Sequence, residues 1–295
     1  MTSAPPTDPS LVAAEREEPF EAERHVYEPH RVGLPPLRKY IRECWKRRSF
    51  ALELSRTTLK AEHFDTLFGK LWLLLNPLLL AGIYLVLVDI LRSRPAPPEF
   101  LAHLVGAIFA YYFVSGCLTV AVRSVVSGGG LILNTAFPRV LLPLASVITG
   151  FKRFVPTLAI YIPLHLIVGL PVGLSLLWLV PISLLMLLLA AGLSMLVAAL
   201  QVYFRDLKDF LPYILRLWLY ASPVLYYAAQ VPERWRWLLK VNPIGMLLTA
   251  WSDVLDHGTA PPSRVLALGA AWAFGAFILG GLFFISRERE FAVRI

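Results

Sequence analysis

The longest apolar run of the chain, residues 174–204, contains no charged side chain. A helix of about 20 residues already crosses a hydrocarbon core of about 30 Å, so this run is long enough to span a bilayer. Only 16% of the 295 residues are charged, against about a quarter in soluble domains, and the mean hydropathy is +0.63. These features predict an integral membrane protein rather than a soluble enzyme.

Six apolar segments predict an all-α integral membrane fold with six transmembrane helices, because a helix satisfies its own backbone hydrogen bonds in lipid. The segments are 71–91, 100–122, 141–170, 174–204, 211–229 and 265–285. The chain is expected to comprise a disordered acidic tail (1–34), an amphipathic interface helix region (35–64), a six-span transmembrane domain (65–286) and a short tail (287–295).

A basic amphipathic helix is predicted before the first span, in the stretch PPLRKYIRECWKRRSF. Apolar residues recur at helical spacing on one face, basic residues fill the other, and Pro36 suits a first helical position. Such a helix lies in the headgroup plane of a membrane; the alternative is a solvated helix that packs on a partner protein. The residues expected in this role are Tyr40, Arg42, Trp45, Arg47 and Arg48.

Six spans place both ends of the chain on one side of the membrane, and the basic residues indicate which side. If both ends are cytoplasmic, 22 of the 28 Lys and Arg residues fall in inner segments and six in outer ones. The positive-inside rule therefore predicts that both termini are cytoplasmic. The net charge of +8 is attributed to this topology and to contact with membrane lipids, not to nucleic acid.

Motifs for catalysis or nucleotide binding are missing from the sequence. Gly69-Lys70 does not belong to a phosphate-binding loop, because Phe64 stands where the motif needs its first Gly and Leu71 where it needs Ser or Thr. Asp89 is the only acid within a predicted span, so no carboxylate pair is available there for acid–base catalysis. The six His lack metal-binding spacing, and the internal repeat of many secondary carriers is not seen. We expect neither enzyme activity nor a cofactor or metal site in this chain.

Four stretches resemble, in the same order, parts of the ABC-2 type permeases that export polysaccharides. They are RTTLKAEHFDTLFGKLWLLLNPLLL (56–80), NTAFPRVLLPLAS (134–146), YFRDLKDFLPYILRLWLYASPVLY (203–226) and VNPIGMLLTAW (241–251). The order of the stretches and the number of predicted spans both agree with that family.

The resemblance implies a transporter subunit that lacks its own motor. Two copies of this chain would assemble with two copies of a separate ABC ATPase, which binds Mg-ATP. The complex would move a polysaccharide, linked to an undecaprenyl- or decaprenyl-type lipid, outward across a bacterial inner or plasma membrane. A galactan or an O-antigen is the expected glycan. The alternatives are an ABC-2 exporter of a small lipid or drug, and an integral-membrane transferase.

The resemblance also assigns roles to particular residues. Those expected to couple the chain to the ATPase are Phe137, Pro138, Arg139, Arg205 and Asp206. The side chain of Asp206 could also cap the helix that follows it. Aromatic faces suit sugar rings, so we expect aromatic residues of the spans to line a channel, with packing between helices as the alternative. These residues are Tyr84, Tyr112, Tyr161, Trp218, Tyr220 and Tyr226.

Three basic residues stand inside predicted spans: Lys152, Arg153 and Arg216. A charge at this depth usually faces water, a partner or a transport pathway, or else its long side chain reaches the membrane surface. A third span that begins at Phe154 would place the first two of these charges outside the bilayer.

The loop between the last two segments is too polar to span a membrane, yet it is rich in Trp and Leu. Pro243 disfavours a helix at the residue before it, so two short helices are expected to meet at Asn242-Pro243. Their apolar faces predict a re-entrant pair of helices that narrows the outer exit, with Trp235, Trp237, Asn242 and Pro243 forming an outer gate. The alternative is an amphipathic loop on the membrane surface.

Overall fold

The computed structural model describes residues 35–62, 69–92 and 97–295. Every regular element in those ranges is a helix, which confirms the all-α prediction. The α-helices are α1 (Leu37–Lys46), α2 (Arg48–Glu62), α3 (Trp72–Arg92), α4 (Pro98–Ser127), α5 (Gly129–Asn134), α6 (Leu141–Val168), α7 (Leu179–Tyr203), α8 (Leu207–Tyr220), α9 (Arg236–Val241), α10 (Gly245–His257), α11 (Ser263–Arg287) and α12 (Phe291–Arg294). The predicted tail at 1–34 lies outside the described residues.

Four helical stretches of the described chain are long and apolar enough to cross a membrane: Pro98–Ser127, Leu141–Val168, Leu174–Tyr203 and Ser263–Arg294. A shorter apolar stretch, Leu75–Ile90, lies within α3. The segment predicted at 211–229 is not one continuous helix. Helix α8 has 14 residues and stops at Tyr220, since Pro223 disfavours helical backbone at the residue before it. The chain is thus a multi-pass membrane protein, while the count of six spans stays a prediction.

Helix α4 forms the centre of the fold. It contacts α3, α6, α7, α8 and α10, and most of its side chains are buried. Small residues allow this close packing; the ring of Tyr161 lies only 2.8 Å from the place where a Cβ on Gly106 would stand. Apolar side chains on the outer surfaces of α6, α7 and α11 are exposed instead, among them Ile167, Leu184 and Leu279. This distribution is typical of helices that face lipid.

Helices α1 and α2 occupy the region predicted for the interface helix. Leu37, Ile41 and Trp45 share a face of α1 that the rest of the chain leaves exposed, whereas Tyr40 and Cys44 pack against a buried cluster. The helix is therefore amphipathic, as predicted, and its exposed apolar face is available to a membrane surface.

Lys152 lies within a continuous helix, because α6 runs without interruption from Leu141 to Val168. Whether the membrane span itself begins at Phe154 stays a prediction, because a span can begin within a longer helix. The Nζ of Lys152 donates a hydrogen bond to Ser55 of α2 at 3.0 Å. The charge of Lys152 therefore meets a polar partner from the interface region.

Helices α7 and α11 touch backbone to backbone. A Cβ on Gly280 would lie 2.1 Å from the carbonyl oxygen of Gly192, and a Cβ on Gly192 would lie 2.3 Å from the carbonyl carbon of Ala276. Small residues commonly permit such close approach between membrane helices. The two glycines therefore set the distance between these helices.

We expect Gly280→Ala to lower the free energy of unfolding by about 1–3 kcal/mol, the usual cost of overpacking. Backbone atoms, which cannot rotate away as a side chain can, oppose the new methyl group. Gly275→Ala is the matched control, since a Cβ at Gly275 meets nothing within 4 Å. Thermal unfolding in detergent, followed by tryptophan fluorescence, measures both variants. Equal midpoints would contradict the expectation.

Candidate functional site

The segment that follows α11 connects three parts of the chain that are far apart in sequence. We use the name Glu288 junction for the set Tyr40, Arg139, Arg205, Glu288 and Arg294. It includes two residues that the sequence predicted to couple to an ATPase, Arg139 and Arg205, and one predicted for the interface helix, Tyr40. The residues contributed by the segment after α11 were not predicted.

Glu288 is the central acceptor of the junction and is only 9% exposed. Its carboxylate accepts hydrogen bonds from the Tyr40 hydroxyl and, at 2.5 Å, from the backbone N–H of Arg139. The Arg139 guanidinium also donates to the backbone oxygen of Glu288. Hydrogen bonds to an ionised group are the stronger kind. Glu288 therefore fastens α1 and the loop before α6 to the end of α11.

Arg205 connects the loop before α8 to the same segment. Its guanidinium donates to the backbone oxygen of Arg294 at 2.5 Å, and Tyr203 donates to a carboxylate oxygen of Glu290 at 2.7 Å. Phe291 is fully buried, with its ring 5.1 Å from that of Phe284. The segment after α11 is thus held by packing as well as by hydrogen bonds.

Asp206 does not cap α8 with its side chain, contrary to one of the two readings of the sequence. The side chain of Gln201, which is buried, binds both sides of this turn. Its amide nitrogen donates to the Arg205 carbonyl at 2.6 Å, and its amide oxygen accepts from the Lys208 N–H at 2.8 Å. An amide within an otherwise apolar run was the sequence signal for this role. The exposed Asp206 carboxylate is left at the surface.

The remaining residues predicted for these regions lie beside the junction. The ring of Phe137 is 4.8 Å from that of Phe50 on α2, and Pro138 accepts a backbone hydrogen bond at the start of α6. Arg47 donates to the Ala136 carbonyl at 2.5 Å. The other three residues are exposed on this side of the protein: Arg42, Trp45 and Arg48.

The six aromatic residues predicted to line a channel are not gathered in one place. Edge-on contacts join Trp218 to Tyr111 and Tyr111 to Tyr112, at 6.0 and 5.9 Å between ring centres. Tyr84 makes a similar contact with Tyr220 at 6.3 Å. These contacts connect α3, α4 and α8.

Two of the predicted residues lie elsewhere. Tyr161 is buried against Gly106, with its ring 5.8 Å from that of His165, and Tyr226 follows α8 in a non-helical stretch. The channel role of the set stays a prediction.

A buried polar contact joins α4 to α10. His103 Nδ1 is 2.7 Å from a carboxylate oxygen of Asp256, and both side chains are buried. The ring of Tyr227 lies 4.3 Å from the His103 ring. Among the residues that the structure describes, no group of three or more His, Cys, Asp or Glu side chains could hold a metal ion.

Helices α9 and α10 meet at Asn242-Pro243, where the sequence predicted a turn between two short helices. Asn242 is buried and its amide oxygen accepts from Trp218 Nε1 at 2.6 Å and from the backbone N–H of Ile244 and of Gly245. Its amide nitrogen donates to the Ser222 hydroxyl at 2.9 Å and to the Ala221 carbonyl. Asn242 therefore connects the end of α8 to the α9–α10 turn.

The two tryptophans of the predicted gate are about half exposed, at 46% for Trp235 and 53% for Trp237. Pro243 lies at the turn itself. The position of this pair of helices relative to a membrane, and its action as a gate, stay predictions.

We expect Asn242→Ala to lower the free energy of unfolding by at least about 2 kcal/mol, because it leaves several buried donors and acceptors without partners. Trp237→Ala is the matched control in the same turn region. Its side chain is about half exposed, so a smaller loss is expected. Chemical denaturation in detergent compares the two. A smaller effect at Asn242 than at Trp237 would show that the turn does not depend on the amide.

Cys44 reports on the contact between α1 and the junction. Burial raises the pKa of its thiol to about 12, and the nearby charge of Glu288 acts in the same direction. Because the thiolate is the reactive form, a raised pKa keeps Cys44 unreactive at neutral pH. Cys117, the other cysteine, is completely buried.

We expect the maleimide labelling rate of Cys44 to keep rising with pH beyond the range near 8.5 in which an ordinary thiol levels off. Glu288→Gln removes a negative charge beside the thiol and should lower its pKa, so labelling at pH 8 should become faster. Cys44→Ala controls for any reaction at Cys117. A labelling rate that levels off near pH 9 in the unmodified chain would contradict the burial of α1 against the junction.

Comparison with known proteins agrees with the fold and with the earlier resemblance. Residues 65–255 match the family described as ABC-2 type transporter. The O-antigen export system permease protein RfbA of Klebsiella pneumoniae is 28% identical over 206 residues, which cover 70% of this chain and 79% of that protein. A protein with the same name from Myxococcus xanthus is 27% identical over 263 residues, covering 87% and 99%. The chain is a membrane-embedded transporter subunit, not an enzyme, and it belongs to the ABC-2 type transporter family.

Proposed function

We propose that this chain is the permease subunit of a polysaccharide exporter driven by a separate ABC ATPase. Two relatives carry the name O-antigen export system permease protein, and the region that matches this chain covers most of the length of each. Their name supports a glycan as the cargo. The proposed complex contains two copies of this chain and two ATPase subunits that bind Mg-ATP. Its substrate is a galactan or an O-antigen on an undecaprenyl- or decaprenyl-type lipid.

The Glu288 junction is the observation that carries the proposal. A transporter subunit without a nucleotide site must be moved by a separate ATPase. The parts of the subunit that contact the ATPase must move together if its movement is to reach the membrane-spanning helices. Glu288 and the segment that follows it join α1, the loop around Arg139 and the loop around Arg205. These are the regions to which the resemblance assigns contact with the ATPase.

The proposed orientation places the junction on the cytoplasmic side of a bacterial inner or plasma membrane. Most Lys and Arg residues lie in the segments that this orientation makes cytoplasmic, in agreement with the positive-inside rule. The exposed apolar face of α1, with Ile41 and Trp45, would then rest on the inner lipid surface. The α9–α10 turn would lie at the opposite side, where a gate at the outer exit is proposed.

The transport pathway is proposed to use the aromatic contacts between α3, α4 and α8. Tyr112 and Tyr220 keep substantial exposed area beside their buried neighbours Tyr111 and Tyr84. Exposed aromatic faces in this arrangement can pack on the apolar faces of sugar rings.

We expect Glu288→Ala to lower export by about tenfold, within the usual range of coupling between sites, while the assembled complex still hydrolyses ATP. The junction would no longer transmit the movement of the ATPase to the helices. The measurements are surface polysaccharide in cells that express both subunits, and the ATPase rate of the purified complex.

Glu53→Ala is the matched control, because Glu53 is an exposed acid of α2 that pairs with Arg56 at 3.3 Å. Its export should equal that of the unmodified chain. Normal export by Glu288→Ala, at equal abundance in the membrane, would remove the junction from the coupling path. If cells that lack this chain carry the same amount of surface polysaccharide as cells that express it, the proposed cargo is wrong.

A further inference from the structure

Three helices bring buried polar side chains together near the C-terminal end of α6. His103 of α4 contacts Asp256 of α10, with 2.7 Å between Nδ1 and a carboxylate oxygen. Tyr161 and His165 belong to α6, and their ring centres are 5.8 Å apart. All four side chains are more than nine-tenths buried. We use the name His103 cluster for this set of four residues.

Tyr161 lies against both of the other helices. Its ring is 2.8 Å from the place where a Cβ on Gly106 would stand, and the side chain of Leu255 is 3.1 Å from the same place. Gly106 lies about one turn beyond His103 on the same side of α4, and Leu255 directly precedes Asp256. The charge of Asp256 also reaches the Tyr161 hydroxyl. The phenol therefore lies next to the contact between His103 and Asp256.

Each member of the His103 cluster has one polar atom to which the described part of the chain offers no hydrogen bond. The four atoms are Nε2 of His103, Oδ1 of Asp256, the hydroxyl of Tyr161 and Nδ1 of His165. A buried polar atom without a hydrogen bond costs free energy, and such atoms in native proteins nearly always have a partner. Four of them on three adjoining helices indicate a bound ligand that supplies the hydrogen bonds.

The ligand must supply hydrogen-bond donors. A carboxylate only accepts, so Nδ1 of His103 donates to Asp256, and Nε2 of the neutral ring is then an acceptor. By the same argument, Nε2 of His165 donates to the Pro171 carbonyl at 3.1 Å, and its Nδ1 is an acceptor. The second oxygen of Asp256 also accepts. Of the four atoms, only the hydroxyl of Tyr161 can donate, so the ligand must have donors for the other three.

The ligand must also be small. The rings of Phe100 and Tyr227 lie 5.8 and 4.3 Å from that of His103, and the ring of Tyr161 leaves no room for a side chain at Gly106. The described residues provide no group of three side chains that could hold a metal ion. Water has two donors in a very small volume and is the usual partner of buried polar groups that the protein itself does not pair.

We propose that the His103 cluster binds at least one ordered water molecule, which bridges Asp256 to Tyr161. The water donates to Oδ1 of Asp256 and accepts from the Tyr161 hydroxyl. Its second donor binds an imidazole nitrogen, Nε2 of His103 or Nδ1 of His165. The bridge joins α10 to α6, as the direct contact joins α10 to α4. This inference depends neither on the cargo nor on the ATPase.

X-ray radiolytic footprinting of the purified full-length chain in lipid nanodiscs tests for the water. Radicals formed from a bound water oxidise the side chains beside it, so a buried side chain is labelled when water lies next to it. Tyr111 is the matched control, because it is also buried and its hydroxyl donates to the Leu215 carbonyl. Tyr161 should be labelled several-fold faster than Tyr111. Equal or slower labelling of Tyr161 overturns the proposal.

The variant Tyr161→Phe gives a second test through the sign of its effect on stability. If water binds the hydroxyl, the variant loses a hydrogen bond, and the midpoint of thermal unfolding should fall by about 2 °C. If nothing binds the hydroxyl, the variant removes an unpaired buried group, and the midpoint should rise. Tyr111→Phe loses a hydrogen bond to the chain itself and should also lower the midpoint. A midpoint for Tyr161→Phe that equals or exceeds that of the unmodified chain overturns the proposal.

The variant Asp256→Leu tests whether the water is a bridge. It removes the carboxylate that accepts from the water, so footprinting should show slower labelling of Tyr161 and unchanged labelling of Tyr111. Unchanged labelling of Tyr161 in this variant would show that water reaches the phenol without Asp256, and it would overturn the bridge. The first two measurements do not require this variant to fold.

Discussion

One buried carboxylate holds together the parts of this protein that face a partner in the proposed function. Glu288 binds Tyr40, 248 positions earlier in the chain, and Arg139, 149 positions earlier. If one partner of a buried, hydrogen-bonded carboxylate is removed, the remaining polar groups are left buried without a partner. The loss of stability is larger than for an exposed contact. The arrangement of α1 and of the loops before α6 and α8 relative to the spans therefore depends on these hydrogen bonds together with apolar packing, in which Tyr40, Cys44 and Phe137 take part.

The sequence predicted the parts of the fold that follow from local pattern. The apolar segments at 100–122, 141–170 and 265–285 each correspond to a helix with similar bounds, because length and hydropathy are properties of the segment itself. The turn at Asn242-Pro243 was also predictable, because a proline restricts its own backbone and that of the residue before it. The helix predicted at 211–229 was wrong in extent, because α8 ends at Tyr220 and Pro223 disfavours helical backbone at the residue before it.

The contacts that define the candidate site could not be predicted from the sequence, and the reason is physical. Hydrogen-bond partners such as Glu288 and Tyr40, or His103 and Asp256, lie on different helices, and their pairing depends on how those helices pack. An acid in the charged run after the last span, such as Glu288, gives the same local signal whether it faces solvent or a tyrosine. Gln201 was closer to being predictable, because an amide in an apolar run needs partners for its polar atoms. Arg153 lines two cavities in the described part of the chain, and both depend on how α2, α3, α4 and α6 pack, which no local pattern gives.

The contact between Gly192 and Gly280 also determines which parts of the protein can rearrange. Where two helix backbones touch, no side chain lies between them that could change rotamer. One helix therefore cannot shift slightly against the other and remain well packed. We therefore expect α7 and α11 to move together as one rigid unit. Any movement between helices is then easier at contacts formed by side chains, such as those that α4 makes with α8, where aromatic rings can change rotamer.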